Sequence, residues 1–324
     1  MPPLFSVVIP VYNRPDAVCA ALESVFAQTE TDYEVIVADD GSTDETPSRL
    51  ACYGDRITVL RQRNAGAGAA RNLALARARG SYVAFLDSDD LWFPWTLACY
   101  RSAIERTCRP AFVSAPYQVT KNVNPRVPST PHGEPALTRY EEFYSVPGNP
   151  FFSFTSSSVA LRKDALAETG AFMAMRANYE DMDLWLKLGD ANGYIHIDEP
   201  VCAIKFETGG NLSRVHSANR AGILEIVKRE RSGQYPGKDS RRPQRIRLIS
   251  ELLRAASVQF VKERGIASAL IVYAQIFAWN LELRRWRYLL GFPAACLWEF
   301  VGIPAFRWGH RFSHPPNREV RGQL

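Results

Sequence analysis

The chain has no cysteine framework. Its six cysteines, at 19, 52, 99, 108, 202 and 296, form no C-x-x-C pair, so neither a disulfide scaffold nor a zinc ribbon is expected. Free buried thiols in a reducing compartment are the plainer reading. No apolar run reaches the roughly 20 residues a spanning helix needs. No internal repeat is visible, which argues against solenoids and propellers. Gly66 and Gly68 fall short of a G-x-G-x-x-G fingerprint and follow the third expected strand, so they make a poor dinucleotide site. The first strand, expected from Phe5, leaves no room for a signal peptide, and the cytosolic side is expected. With 46% hydrophobic and 23% charged residues, the composition is that of a globular protein rather than a disordered one.

What is present alternates. Phe5–Val11, Tyr33–Ala38, Ile57–Leu60 and Ser81–Leu86 are short apolar runs expected as strands. Ala17–Gln28 carries Val18, Ala21, Leu22, Val25 and Phe26 on one helical face. A second helix, capped by Ser42 or Thr43, is expected to Cys52, and a third from about Gly66 to Arg79. Such alternation predicts an α/β fold, a mostly parallel sheet with helices on both faces. Residues 111–150, rich in proline, read as a long irregular connection. Phe154–Leu161 then reads as a strand. Lys163–Glu168 and Met182–Leu188 read as helices, and Tyr194–Ile197 as one more strand.

The sharpest feature is Ala84-Phe85-Leu86-Asp87-Ser88-Asp89-Asp90. An apolar strand ends in three carboxylates within four residues. Buried like charges are costly unless a cation joins them. Hard divalent cations bridge carboxylates to diphosphate oxygens, and open α/β sheets bind ligands at the carboxyl ends of their strands. Alone the run would be a polar loop, with Asp90 capping the next helix.

The order of motifs resembles glycosyltransferase family 2. Val7-Val8-Ile9-Pro10-Val11-Tyr12-Asn13, Val37-Ala38-Asp39-Asp40-Gly41-Ser42-Thr43-Asp44, Gly68-Ala69-Ala70-Arg71-Asn72, Asp87-Ser88-Asp89-Asp90 and Glu180-Asp181 follow one another over residues 4–215. The resemblance implies a GT-A fold and inverting transfer of a sugar, of hexosyl type, from a nucleotide-diphosphate donor, usually a UDP-sugar. It implies that Asp39 reads the base and Asp87 the ribose. Asp89 would hold Mg²⁺ or Mn²⁺, and Asp181 would be the base that deprotonates the acceptor hydroxyl. Pro10 and Tyr12 would line the base pocket, and Arg71 would neutralise the acidic site. Asp39 can also serve the turn beside Gly41, and Tyr12 can be ordinary packing. Glu180 and Asp183 are explained by a helix N-terminus that favours acids.

Two departures stand out. The family often places a His before Gly-Gly-Asn-Leu-Ser, where this chain has Thr208 before Gly209–Ser213; His216 lies a few residues on. The Q-x-x-R-W motif of processive members is absent, apart from an imitation at Glu282–Trp286, so a single sugar is expected per turnover. Phe151–Ser158 is expected to border the acceptor, a glycan or a lipid-linked alcohol.

Charge divides the chain. Residues 1–215 hold 20 Lys and Arg against 26 Asp and Glu, whereas residues 216–324 hold 19 against 8. A catalytic domain over 1–215 is expected, with a nucleotide-binding half (1–110) and an acceptor half (111–215). A basic, apolar helical extension follows over 216–324. No nucleic-acid motif is present, so an anionic membrane surface is the expected partner of the extension. Packing of its helices on the catalytic domain, or on a second subunit, is the alternative; the oligomeric state is open. A nucleotidyltransferase of similar fold would need a basic glycine-rich loop near Tyr12, which is missing. A non-catalytic nucleotide-sugar or membrane-binding partner would not need both acidic sites.

Overall fold

A computed structural model describes residues 1–120, 133–148, 153–206 and 216–300. The first half alternates β1 (Phe5–Val11), α1 (Pro15–Phe26), β2 (Tyr33–Asp39), α2 (Thr46–Ala51), β3 (Thr58–Arg61), α3 (Ala67–Leu75) and β4 (Tyr82–Phe85). There follow β5 (Asp90–Trp92), α4 (Thr96–Arg106), β6 (Phe112–Ser114), β7 (Tyr117–Thr120), β8 (Ala136–Tyr140), β9 (Val159–Arg162), α5 (Lys163–Thr169), α6 (Glu180–Lys187), β10 (Tyr194–Glu199) and β11 (Ala203–Phe206). Four helices end the described chain: α7 (His216–Arg231), α8 (Lys238–Lys262), α9 (Ile266–Glu282) and α10 (Trp286–Phe300).

Eight strands form the main sheet in the order β3-β2-β1-β4-β9-β6-β10-β8. Its β3–β2, β2–β1, β1–β4 and β6–β10 pairings are parallel, and β4–β9, β9–β6 and β10–β8 are antiparallel. A small sheet, β5-β11-β7, stands beside it. The central strands are buried on both faces, which is why they read as unbroken apolar runs. Their side chains divide by alternation. Val7 and Ile9 join a core with α1 and α4, while Val8 and Phe85 face α3, α6 and the C-terminal helices. Pro10 sits in β1 without harm. Val8 accepts the Leu86 N–H at 3.1 Å, β4 ends there, and the position two residues on needs no donor toward β4.

Several boundaries differ from the sequence expectation. The proline-rich stretch is not one irregular connection: it contributes β6, β7 and β8. Pro116 lies between β6 and β7 and Pro135 just before β8, at strand ends where a missing N–H is harmless. Neither Ser42 nor Thr43 caps α2. Ser42 Oγ accepts the Asn13 N–H instead, at 2.9 Å, and Asp44 accepts the Thr46 N–H at 2.9 Å. α3 stops at Leu75 rather than Arg79, and Ser156–Ser158 forms a 3₁₀ turn ahead of β9. Gly170 does close α5 in the left-handed region, with φ 74°.

The C-terminal helices lie on one face of the main sheet. Ile223, Ile226, Ile249 and Ile276 belong to the same buried cluster as Leu184 and Trp185 of α6. No helix among the described residues is long and apolar enough to cross a membrane.

Candidate active site

β1, β2 and β4 deliver their polar residues to one sheet edge. Asp39 ends β2 opposite Val11. Its buried carboxylate accepts the Ser42 N–H at 2.8 Å and meets Arg61 Nε at 3.3 Å. Asp39 therefore serves the turn, with its carboxylate buried at the strand end. Asp40 accepts from Gln62 Nε2 at 2.7 Å and from the N–H groups of Ala65 and Gly66 at 2.8 Å each. That staple fixes the loop entering α3. Pro10 is buried in β1, while Tyr12 just beyond is 42% exposed, a ring presented rather than packed.

Arg71 joins the two acidic clusters. It is buried on α3 and donates from Nη2 to Asp87 Oδ1 at 2.6 Å and from Nη1 to Glu180 Oε1 at 2.6 Å, across 109 residues of sequence. Its guanidinium also lies over the Phe172 ring at 5.2 Å. Gly68 permits this approach, since a Cβ there would overlap the Met173 carbonyl and press on Glu180. Burial would lower the Arg71 pKa, but Asp87 and Glu180 outweigh it and hold the charge firmly.

Each of the clustered aspartates has a different neighbour. Asp87 lies on the rim, and its backbone N–H is accepted by Ser157 Oγ at 3.0 Å. Asp89 pairs with Arg14. Burial, then Asp87, raises its pKa, and Arg14 opposes the rise. Asp90 does not cap a helix. It opens β5, accepts from Ser157 Oγ at 2.6 Å and from the Phe206 N–H at 3.3 Å, and is buried. Burial, then Asp87 and Asp89, pushes its pKa up to about 8. The apolar residues that follow Asp90 made it look like a cap, but they build a strand paired with β11.

Glu180 and Asp181 open α6. Asp181 accepts from Ser156 Oγ at 3.1 Å and from the Met182 N–H at 2.8 Å, and is half-buried. Burial raises the Glu180 pKa, against the pull of Arg71. α6 is anchored from behind. Asp183, fully buried, meets Lys187 Nζ at 2.8 Å, Arg229 Nη1 at 3.1 Å and the Tyr235 hydroxyl at 2.9 Å. Two of these partners come from the C-terminal extension. Gly222 of α7 lies so close to the preceding loop that a Cβ would overlap the Asn178 carbonyl.

Lys205 and Arg14 escaped the sequence reading, and so did the contacts of Ser156 and Ser157 with the aspartates, although Phe151–Ser158 is expected from the sequence to border the acceptor. Lys205 sits opposite Asp90 in the β11–β5 register. Burial works to lower its pKa, but Asp90, Asp87, Tyr117 and Asp181 together raise it. Arg14 pairs with Asp89, and the hydroxyls of Ser156 and Ser157 reach Asp181, Asp87 and Asp90. None carries a local signal, because each acts through partners distant in sequence. Trp92 and Trp95 donate their indole N–H groups to the carbonyls of Ser157 (2.6 Å) and Val201 (3.0 Å); both rings are core. Thr208, Gly209–Ser213 and Phe151 lie outside the described residues, as does the side chain of His216. Among the described residues, no three His, Cys, Asp or Glu side chains converge to hold a metal ion by themselves.

A family model described as Glycosyl transferase family 2 matches residues 6–170, from β1 through α5. The chain belongs to that family. A glycosyltransferase of Rickettsia felis, described as uncharacterized, is 29% identical over 242 residues, covering 72% of this chain and 38% of its own length. This chain spans less than two fifths of the curated Rickettsia relatives it matches. Among solved structures, Staphylococcus aureus TarS 1–349 in complex with UDP aligns with a TM-score of 0.63 at 19% identity, covering 92% of this chain and 87% of that one. The Pyrobaculum calidifontis mannosyltransferase PcManGT, in complex with GDP-Man and Mn²⁺, aligns at 0.51 and 20% identity, covering 92% and 88%. At these identities the glycosyltransferase shares their fold, a large, mostly parallel sheet of GT-A type with C-terminal helices.

Proposed function

We propose that this family 2 member moves one hexosyl group from a nucleotide-diphosphate sugar, a UDP-sugar in the first instance, to a hydroxyl of a glycan or lipid-linked acceptor, with inversion. The observation that carries the reading is Arg71, which ties Asp87 to Glu180 and so brings two remote acidic clusters to one crevice. Asp39, Pro10 and Tyr12 take the base, Asp87 the ribose, and Asp89 faces the diphosphate. Solved relatives of the same fold hold UDP and GDP-Man, which supports this donor class.

The donor set fits a Mg²⁺ or Mn²⁺ ion that takes hard oxygen ligands from one or two carboxylates and completes its shell on substrate phosphates. Asp89 would hold it, with Asp87 beside it. Such an ion supplies Lewis-acid stabilisation of the departing diphosphate. The protein's own residues do the rest. Asp181, held by Ser156 and the Met182 N–H, takes the proton of the acceptor hydroxyl. The acceptor oxygen bonds to the anomeric carbon as the bond to the diphosphate oxygen breaks, and that oxygen leaves with the electron pair. A carboxylate is a weak base toward an alcohol, so proton transfer comes late, when the nucleophile has grown acidic. Lys205 and Arg14 keep the local field from becoming wholly negative.

Residues 1–215 are proposed as the catalytic unit, with 1–110 its nucleotide half and 111–215 its acceptor half. Residues 216–324 are proposed as a basic extension whose described helices buttress α6. The outer side of α9 and α10 exposes Leu270, Phe277, Leu281, Trp286 and Leu290, with Arg284 at the turn between them and Arg287 in the first turn of α10. Apolar and basic groups so mixed suit peripheral contact with an anionic membrane on its cytoplasmic face.

The test is nucleotide diphosphate release from a panel of sugar nucleotides, with Mn²⁺ or chelator present. Asp89→Ala is expected to lose activity and metal dependence together. Asp181→Asn is expected to lose activity and keep donor binding. Unchanged release in both variants would overturn the assignments.

A further inference from the structure

A second group of charges, unrelated to the strand-edge crevice, lies on the C-terminal layer. Arg247, Glu251 and Arg254 stand four and then three residues apart on α8, hence on one helical face. Arg285 meets them from the turn between α9 and α10. Glu251 is the only carboxylate among these four residues, and it accepts from Arg285 Nη2 at 2.7 Å. Arg247 donates to the carbonyls of Gly148 and Val146 at 2.7 and 3.1 Å. Those carbonyls fix its position but bring no negative charge. None of these four residues shares a hydrogen bond or ion pair with Arg71, Asp87, Asp89 or Asp181 among the described residues.

The cluster is incomplete in two ways. The Arg254 guanidinium has no hydrogen bond or ion pair among the described residues; it lies over the Tyr288 ring at 5.7 Å. That ring is itself fixed, since its hydroxyl is 2.9 Å from Ser257 Oγ. Arg254 Nε and Arg285 Nη1 are both buried without an acceptor. A ring face offsets part of a cation's lost hydration, but it takes no in-plane N–H. Burial and then Arg285 hold the Arg254 pKa down to about 10. Burial, with Arg247 adding to it, lowers that of Arg285 despite Glu251. Buried donors and charges left unpaired are destabilising and uncommon in native structures. Three guanidiniums against one carboxylate leave a surplus of positive charge and two donors without an acceptor.

We propose that Arg254 and Arg285, with Arg247 at the edge, form a binding site for a phosphate-class oxyanion. Guanidinium forks match tetrahedral oxyanions by paired N–H donors, and the two orphan N–H groups supply directed bonds. The oxyanion has two sources of identical chemistry: the headgroup of an anionic lipid, or a phosphate free in solution or carried on a substrate. The inference does not depend on the donor-site reading.

The test uses the full chain. Thermal melts are run against inorganic phosphate, with ionic strength matched by chloride, for the wild type, Arg254→Met and Arg285→Gln. A saturable rise in Tm is expected for the wild type. Each variant is expected to weaken the apparent affinity at least about tenfold, while Asp89→Ala leaves the response intact because the donor crevice is elsewhere. If Arg254→Met does not melt cooperatively, Arg254→Lys replaces it, keeping the charge and losing the fork. Sedimentation with phosphatidylcholine vesicles, with and without phosphatidylglycerol, separates the sources. Loss of phosphatidylglycerol-dependent binding in the variants assigns the site to a headgroup. Loss of the phosphate response alone assigns it to a soluble or substrate-borne phosphate. An equal phosphate response in wild type and variants, or no saturable response together with unchanged vesicle binding, overturns the proposal.

Discussion

The two acidic clusters of the crevice are built on opposite plans. In the Asp87–Asp90 run, charge is crowded and only partly answered. Arg71 takes Asp87 and Arg14 takes Asp89, but Asp90 has hydrogen bonds and no ion pair among the described residues, and its pKa climbs to about 8. In the Glu180–Asp183 run the buried charges are matched, Glu180 by Arg71 and Asp183 by Lys187 and Arg229, with the Tyr235 hydroxyl as a third partner of Asp183. Asp181 alone is left half-open between two anchored neighbours. The difference separates a crowded cluster, whose buried Asp90 has no ion pair among the described residues, from a platform whose ion pairs hold one carboxylate still. The proposed division into a cation side and a base side rests on that contrast.

The largest effect expected is on chemistry. Asp181→Asn should lower turnover about 10²- to 10⁴-fold with nucleotide affinity unchanged in equilibrium titration; normal turnover would erase the distinction between the clusters. Next is Arg71→Met, which strips the shared cation from both. A stability loss of about 3–5 kcal/mol is expected by denaturant unfolding, and a loss under about 1 kcal/mol would mean that the clusters are held together by other contacts.

A smaller effect sharpens the contrast through pH. Burial and the neighbouring aspartates push the Asp90 pKa up to about 8 in the folded chain, whereas an unfolded aspartate ionises near 4. The folded state thus binds more protons across that window, and stability falls as pH rises from 4 to 8. Asp90→Asn mimics the protonated form. It should raise Tm at pH 8, by on the order of 1–3 kcal/mol of stability, and the gain should vanish near pH 4. A gain that is the same at both pH values would refute the reading. The smallest effect belongs to Tyr235→Phe, which removes one of three partners of Asp183. About 1 kcal/mol is expected, with donor affinity untouched; a change in donor affinity would show that the platform and the donor side are not separable.

Much of the first half was legible because its information is local. The runs at Val7, Val35 and Val83 are buried on both faces and read as strands by composition alone, and helix α1 showed its face by spacing. The strand-end aspartates were visible for the same reason. What escaped depends on distant pairing. Strand β8 is short and half-exposed, so no alternation marked it between prolines. Asp90 followed by Leu91 and Trp92 fits a cap or a strand equally, and only pairing with β11 decides. Lys205, Arg14 and Ser157 gain meaning only from carboxylates that the fold carries to them. The C-terminal helices read as apolar runs with basic ends, and their contact with α6 rests on Gly222, Arg229 and Tyr235, none of which forms a pattern.

The turn at Ser156–Ser158 has one more consequence. Ser157 holds Asp87 through its backbone N–H and Asp90 through its carboxylate, while the adjacent Ser156 holds Asp181. Consecutive hydroxyls on one short turn therefore act as a gauge block between the two acidic clusters. Under the proposed roles, the spacing between the leaving-group side and the proton-accepting side is set by those three residues, so a shift of the turn would displace both together.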